Sequence, residues 1–165
     1  MAEPQVVFTI RYTEAHCLAA AWRYWQRRLG KRYALELAIG AGLYLLARQG
    51  PYRWIEVALL IVVGVFALVG LGVFLLHWQR ARFGLKALVP PQSTWLLSES
   101  SIAQQSSLGE SAIPWNAVQQ LWLFPDVWLL IWGRDVYSTL PTNQLPAEAR
   151  ELIRRRVREA GGKVS

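Results

Sequence analysis

One cysteine and two histidines are all that this 165-residue chain offers for thiol or imidazole chemistry. Cys17 alone excludes an intramolecular disulfide framework, and no spacing resembles a zinc site. His16 and His77 lie far apart in the chain, so a histidine-centred catalytic or metal cluster is hard to assemble. The usual catalytic signatures are missing as well: there is no G-x-S-x-G, H-E-x-x-H, P-loop or glycine-rich dinucleotide turn. Ser98, Ser100, Ser101, Ser106 and Ser107 gather near turns, their ordinary use, with no His or Cys after residue 88 to activate them. The expectation is a protein that is not an enzyme, with no catalytic residue, no metal and no cofactor.

Charge is also scarce. Only 18% of the residues are charged, against 53% hydrophobic, poorer in charge and richer in apolar residues than an ordinary soluble domain. The net charge of +7 is unevenly placed. Residues 1–86 hold 11 Lys/Arg and 4 Asp/Glu, whereas residues 87–165 hold 7 of each. A nucleic-acid-binding domain carries its excess on the folded reading module. Here the excess brackets apolar runs, so a nucleic-acid partner is not expected.

The strongest of those runs is "IEVALLIVVGVFALVGLGVFLL", residues 55–76. As a helix it would extend roughly 33 Å, enough for the ~30 Å hydrocarbon core of a bilayer. Trp54 precedes it and Trp78 follows, aromatic anchors suited to the two interfaces. An earlier run reaches the required length only when extended back to Leu29, giving residues 29–47, roughly 28 Å, with Lys31 and Arg32 snorkelling to headgroups. Glu36 is then either a solvated or salt-bridged group near the interface or a contact for a partner. Gly50-Pro51 makes the turn between the runs. Two spans, about 29–47 and 55–76, are therefore predicted to form a transmembrane helical hairpin occupying residues 33–78. Arg23, Arg27, Arg28, Lys31 and Arg32 precede it and Arg80, Arg82 and Lys86 follow, with only Arg48 and Arg53 in the turn. That bias puts both termini in the cytosol. A cleaved signal peptide is disfavoured: the apolar run starts late, and "YLLA" is no A-x-A-like site.

On the N-terminal side, "QVVFTIRYT" alternates as a strand with one apolar face. Thr13 can cap a following helix, and Glu14 suits its positive end. Leu18, Trp22, Trp25 and Leu29 then recur as one helical stripe, with Arg23, Arg27 and Lys31 on another face. A basic helix with tryptophan on its apolar side can lie on an anionic membrane surface, or its stripe can pack on the protein's own domain. Residues 1–32 are read as this strand and helix. Trp22, Arg23, Trp25, Arg27, Arg28, Lys31, Arg32, Trp54 and Trp78 are the candidate membrane-surface residues.

After Pro90-Pro91, which ends helical continuation, the register changes. Strands are expected near 94–97, 101–105, 110–113, 120–124, 127–132 and 136–140. Turns are expected at Pro125-Asp126 and Gly133-Arg134-Asp135. A closing helix begins near Pro146, with Leu152, Ile153 and Val157 inward and Arg150, Arg154, Arg155 and Arg158 exposed. Residues 88–165 thus read as a small antiparallel β domain covered by one helix. Trp115 suits a core anchor. The strand at 127–132 is apolar on both sides, so its second face must meet the N-terminal segment, the membrane surface or another subunit. Trp122, Trp128 and Trp132 are the candidate interaction face.

The order of these pieces resembles the YcxB-like family of bacterial membrane proteins. The residues that carry the likeness are "FTIRYTEAH" at 8–16, "GESAIPWNAVQQLW" at 109–122, "VWLLIW" at 127–132 and "VYSTLPTNQL" at 136–145. In that family a small polar turn precedes a Trp with a β-branched residue three positions later, as Trp115 and Val118 stand here. A later strand ends in "IPK-x-A-[FL]"; this chain has "LPTNQL", with Thr142 in place of the basic residue. The resemblance implies a membrane α+β architecture with a pleckstrin-homology-like (PH-like) domain in the bacterial cytoplasmic membrane, and no established activity.

The expected function is a non-enzymatic scaffold anchored in the inner membrane, its partners the lipid bilayer and either a protein or a second copy of the chain. A small immunity or protective protein acting through its hairpin, or a subunit of an oligomeric membrane complex, is the alternative.

Overall fold

A computed structural model describes residues 5–133 and 136–165, with Leu29 described through its backbone alone. The turn residues Arg134 and Asp135 lie outside the described residues, as does the Leu29 member of the expected apolar stripe. The chain divides into two compact units, one made of the residues up to Ala20 together with Ala81–Ser165, the other Ala21–Arg80.

The first unit is built on two sheets. Strand β1 (Val6–Arg11) pairs antiparallel with β2 (Gln92–Leu97), which continues through β3 (Ser101–Ser106) to β4 (Gly109–Pro114) in the order β1-β2-β3-β4. The N-terminal strand is therefore part of the β domain, although some eighty residues separate it from its neighbour. Its alternation demands this: Phe8 and Ile10 point to one face and must be buried, which only the sheet's core supplies. The second sheet holds β5 (Gln120–Leu123), β6 (Val127–Ile131) and β7 (Tyr137–Pro141) as an antiparallel meander. A two-residue strand, β8 (Lys163–Val164), is added parallel to β5. The final helix lies at Ala147–Glu159 and buries Ala149, Leu152, Ile153 and Val157, the face expected from its apolar spacing. We number it α4, after the three helices described below.

One core joins both sheets and α4. It contains Phe8, Ile10, Trp95, Leu97, Ile102, Trp115, Leu121, Trp128, Leu130, Leu140 and Ile153, among others. Trp115 is buried and its indole N–H donates to the Ser98 carbonyl at 3.0 Å. Gln144 ties the sheets at their ends: its amide accepts from the Arg11 N–H and donates to the Arg11 carbonyl, both at 2.8 Å. The side chain thus completes the backbone pairing of β1 where no strand is available. β8, too short to be foreseen, depends on the glycines after α4. Gly161 has φ +84°, and a Cβ on Gly162 would lie 2.7 Å from the Val118 carbonyl oxygen.

The second unit is helical. Helix α1 (Glu14–Trp25) begins in the first unit, where the Thr13 hydroxyl accepts from the His16 N–H at 3.3 Å, as expected of a cap. It passes without a break through a π-helical turn (Gln26–Gly30) into α2 (Lys31–Ala47). After a turn, α3 (Arg53–Ala87) runs for 35 residues, roughly 52 Å. α2 packs antiparallel on α3. The Tyr33 ring stacks on Phe66 at 4.7 Å and its hydroxyl donates to the Phe66 carbonyl at 2.5 Å. The same ring fills the space over Gly70, where a Cβ would come within 2.2 Å of it. Farther along, Gly40 faces Val63, and the Tyr44 hydroxyl donates to Glu56 at 3.4 Å.

The expected spans fare differently. Among the described residues α3 is the one helix long and apolar enough to cross a membrane, and only 6% of its most apolar window is buried. It also extends past Leu76 without interruption, to Ala87. α2 has 17 residues, roughly 25 Å, short of the hydrocarbon thickness by itself, because the helix spends Gln26–Gly30 in the π turn. The stripe expected on α1 is only partly covered by the chain. Leu18 and Trp22 are 43% and 46% exposed, while Ala20, Ala21 and Tyr24 are buried. Small alanines allow close packing, and the large apolar side chains are left outward.

Leu130 is wholly buried in the centre of the joint core. Leu130→Ala is expected to destabilise the β unit by about 2–5 kcal/mol, read as an earlier midpoint in denaturant unfolding followed by tryptophan fluorescence.

Candidate functional site

Two regions carry the residues singled out by the sequence, and each is described on its own. In the helical unit, aromatic rings gather where α1 turns into α2. Trp22 stacks on Trp25 with centroids 5.5 Å apart, and each meets Phe74 edge-on, at 5.9 and 6.4 Å. Trp25 also meets Tyr33 edge-on at 5.7 Å, and Tyr24 lies 5.4 Å from His77. The indole N–H of Trp25 is buried without an acceptor among the described residues. Around this cluster Arg27, Arg28, Lys31 and Arg32 are exposed and Arg23 is half-buried. Trp78 is half-buried, while Trp54, at the opposite end of α3, is 70% exposed. Nothing in the spacing of the sequence marked the π turn that brings Trp25 and Tyr33 together.

In the β unit the expected interaction face is largely closed. Every residue of β6 is buried. Trp128 and Leu130 enter the joint core, and Arg154 of α4 sits over the Trp128 ring, 4.7 Å from its centroid. On the other face Val127, Leu129 and Ile131 are buried too. Trp122 is 5% exposed, its indole N–H donating to Gln120 at 2.8 Å. Trp122 and Trp128 are therefore packed within the chain, which leaves Trp132, half-buried, as the only accessible member of that trio. The physical reason is that both faces of this central strand have covering elements, so its double apolar pattern is satisfied internally.

The open face of the β unit lies on the first sheet. Register places Val7, Leu96, Ala103 and Ala112 in one row across all four strands, with Thr9, Thr94, Gln105 and Glu110 in the next. Val7 is 56% exposed and Ala112 is exposed. The row is uncharged and invisible in any one strand.

The arginines of α4 divide by role. Arg150, expected to be exposed, is half-buried and donates to the carbonyls of Leu145 and Thr142 at 3.1 and 2.5 Å. Thr142 itself donates to the Pro125 carbonyl at 2.7 Å. Arg155 and Arg156 grip Glu99 at 2.8 and 3.4 Å, fastening α4 to the β2–β3 turn. A shallow groove of about 720 Å³ runs over the helix between Arg154, Arg155, Arg158, Glu151 and Glu159. Its mixed charges describe a solvated face more than an anion site.

The buried hydroxyls lie elsewhere. Tyr12 accepts from Ser93 and from the Trp95 indole, each at 3.2 Å; burial pushes its pKa up against those hydrogen bonds. Burial likewise pushes the Cys17 thiol up, helped by Glu14. Tyr137 on β7 is pushed up to about 12, first by burial and then by Cys17. Among the described residues no three His, Cys, Asp or Glu side chains converge on a point that could hold a metal.

No family model, curated protein or solved structure matches this chain. The YcxB-like resemblance accordingly rests on the quoted residues alone.

Tyr137 gives the β unit a pH signature. A phenol whose folded pKa is about 12 against an ordinary 10.0 contributes stability that is fully present below pH 10 and lost as pH rises toward 12. Thermal unfolding midpoints should hold level up to about pH 10 and then fall. Tyr137→Phe should flatten part of that fall, Tyr12 retaining the rest.

Proposed function

We propose that this chain is a non-enzymatic, membrane-anchored binding protein. A helical hairpin crosses the bacterial cytoplasmic membrane, and a PH-like β domain, together with both termini, faces the cytosol. The observation that carries the reading is α3: a 35-residue helix whose most apolar window is only 6% buried is long and apolar enough to cross a bilayer. A core helix of a soluble protein would be wrapped by the chain, and this one is not.

Strand pairing supports an even number of crossings. β1 ends at Arg11 and β2 begins at Gln92, and these two residues are partners in one sheet. A chain that leaves that sheet, crosses a membrane and returns to the same sheet must cross an even number of times. α2, packed antiparallel on α3, is the helix that can make the second crossing. Its 17 residues are extended by the π turn to 22, roughly 33 Å at the α-helical rise.

A PH-like assignment for the β unit is supported by a four-stranded meander, a three-stranded meander and a terminal helix sharing one core. It agrees with the YcxB-like resemblance, which remains part of the proposal. With Trp122 and Trp128 packed away, the uncharged row through Val7, Leu96, Ala103 and Ala112 is the face offered to a protein partner. Anchoring at the membrane raises the domain's effective concentration near targets there.

Topology is the test. In a Cys17→Ser background, a single cysteine at Gly50, in the turn, should react with a membrane-impermeant maleimide in intact spheroplasts. One at Ser165 should react only after lysis, and the protein should stay in the pellet at alkaline carbonate pH. Release by carbonate, or labelling of both cysteines from outside, would overturn the reading.

A further inference from the structure

We propose that the junction of α1 and α2 is a site for the phosphate headgroups of anionic phospholipids, an inference that rests on the membrane reading above. Residues 15–35 contain Arg23, Arg27, Arg28, Lys31 and Arg32 and not one acidic residue. The distribution of these cations is set by the π turn at Gln26–Gly30. An α turn takes about 3.6 residues and a π turn roughly one more, so the two in series take about eight. Residues eight apart across this junction therefore lie on one line along the helix; in an unbroken α-helix they would diverge by about 80°.

The aromatic side obeys that rule. Trp25 and Tyr33, eight apart, have ring centroids 5.7 Å apart, and both meet α3, through Phe74 and through Phe66 with Gly70. Arg23 and Lys31 are also eight apart, with Arg27 midway, and so form a second line. Arg28 and Arg32 form a third beside it. The extra residue thus holds the aromatic line against α3 while the cations stay in register on the outer side, where all but the half-buried Arg23 are exposed.

Chemistry points to phosphate in a lipid. Guanidinium groups present paired donors that match phosphate oxygens. Trp22, Trp25 and Phe74 provide an amphipathic floor of the kind that settles at headgroup depth. The Trp25 indole N–H lies buried within that floor and has no acceptor among the described residues. A free anion would use the arginines and gain nothing from the aromatic floor.

The test is native mass spectrometry of the full chain in mild detergent, titrated with dioleoyl phosphatidylglycerol or with dioleoyl phosphatidylcholine. Phosphatidylglycerol should be retained several-fold more than phosphatidylcholine. The preference should fall roughly fivefold or more in Arg27→Gln/Arg28→Gln/Lys31→Gln/Arg32→Gln. It should weaken only partly in Arg27→Lys/Arg28→Lys/Arg32→Lys, which keeps the charge but loses the guanidinium fork, and survive intact in Arg154→Gln/Arg158→Gln on α4. Equal retention of the two lipids would overturn the proposal. So would an undiminished preference in a quadruple variant with wild-type circular dichroism, or displacement of the lipid by millimolar inorganic phosphate. Each variant is also extracted with alkaline carbonate: one that stays in the membrane pellet but loses lipid preference leaves the anchor reading untouched.

Discussion

An apolar surface that the chain does not cover governs the rest of this molecule. α3 offers Ile61, Val62, Val65, Leu68 and Val69 outward, each more than half exposed, along a helix that the protein buries almost nowhere. The strip through Val63, Phe66 and Gly70 packs on α2, and Phe74 and His77 meet the rings of α1. Close approach there depends on a position with no side chain: a Cβ on Gly70 would sit inside the Tyr33 ring. Such packing and the Tyr33–Phe66 hydrogen bond hold the pair together.

The β unit obeys the opposite rule, hiding nearly all of its large apolar side chains. Its central strand is buried at all five positions, which makes it the element around which both faces are organised. Polar groups that enter this interior are matched: Trp95 and Ser93 share the Tyr12 hydroxyl, Trp115 donates to Ser98, and Gln144 closes the end of β1. The Glu99 ion pairs with Arg155 and Arg156 are more exposed and contribute little by comparison. With these groups matched, the domain presents to its surroundings the uncharged row across the first sheet.

Strand positions were legible from the sequence because period-2 alternation and turn residues speak locally; six expected strands after Pro91 lie within a few residues of β2 to β7. The inward face of α4 was legible for the same reason. What escaped are features fixed by tertiary context. Alternation in residues 6–11 announces a strand but not its neighbour eighty residues on. The double apolar pattern of β6 cannot say whether a second face is covered from within, and it was, so Trp122 and Trp128 are core residues. On α1 the bulk of Leu18 and Trp22 marks the stripe but not whether the chain covers it, and the closely packed positions go to alanines, which carry little hydropathic weight. The π turn has no sequence signal at all; it is legible only in the eight-residue spacing of rings that meet.

That turn also reconciles the lengths of the two helical arms. Residues 14–47 are helical without a break, 34 residues against the 35 of α3. Equal arms are what strand pairing requires. Arg11 and Gln92 are locked in register, so an insertion between them must bring its ends back together. A flexible insertion of that size would do so at a modest entropic cost that grows slowly with length. A stiff one can do so only if its arms match, and the contacts near the base fit that demand: Glu14 meets Arg82 at 3.0 Å, and the Cys17 thiol donates to the Ala81 carbonyl at 3.8 Å. The short α2 is thus no defect of a second arm. Its missing length is carried by the π turn and α1, the same stretch that gathers the arginines and tryptophans where lipid phosphates would lie.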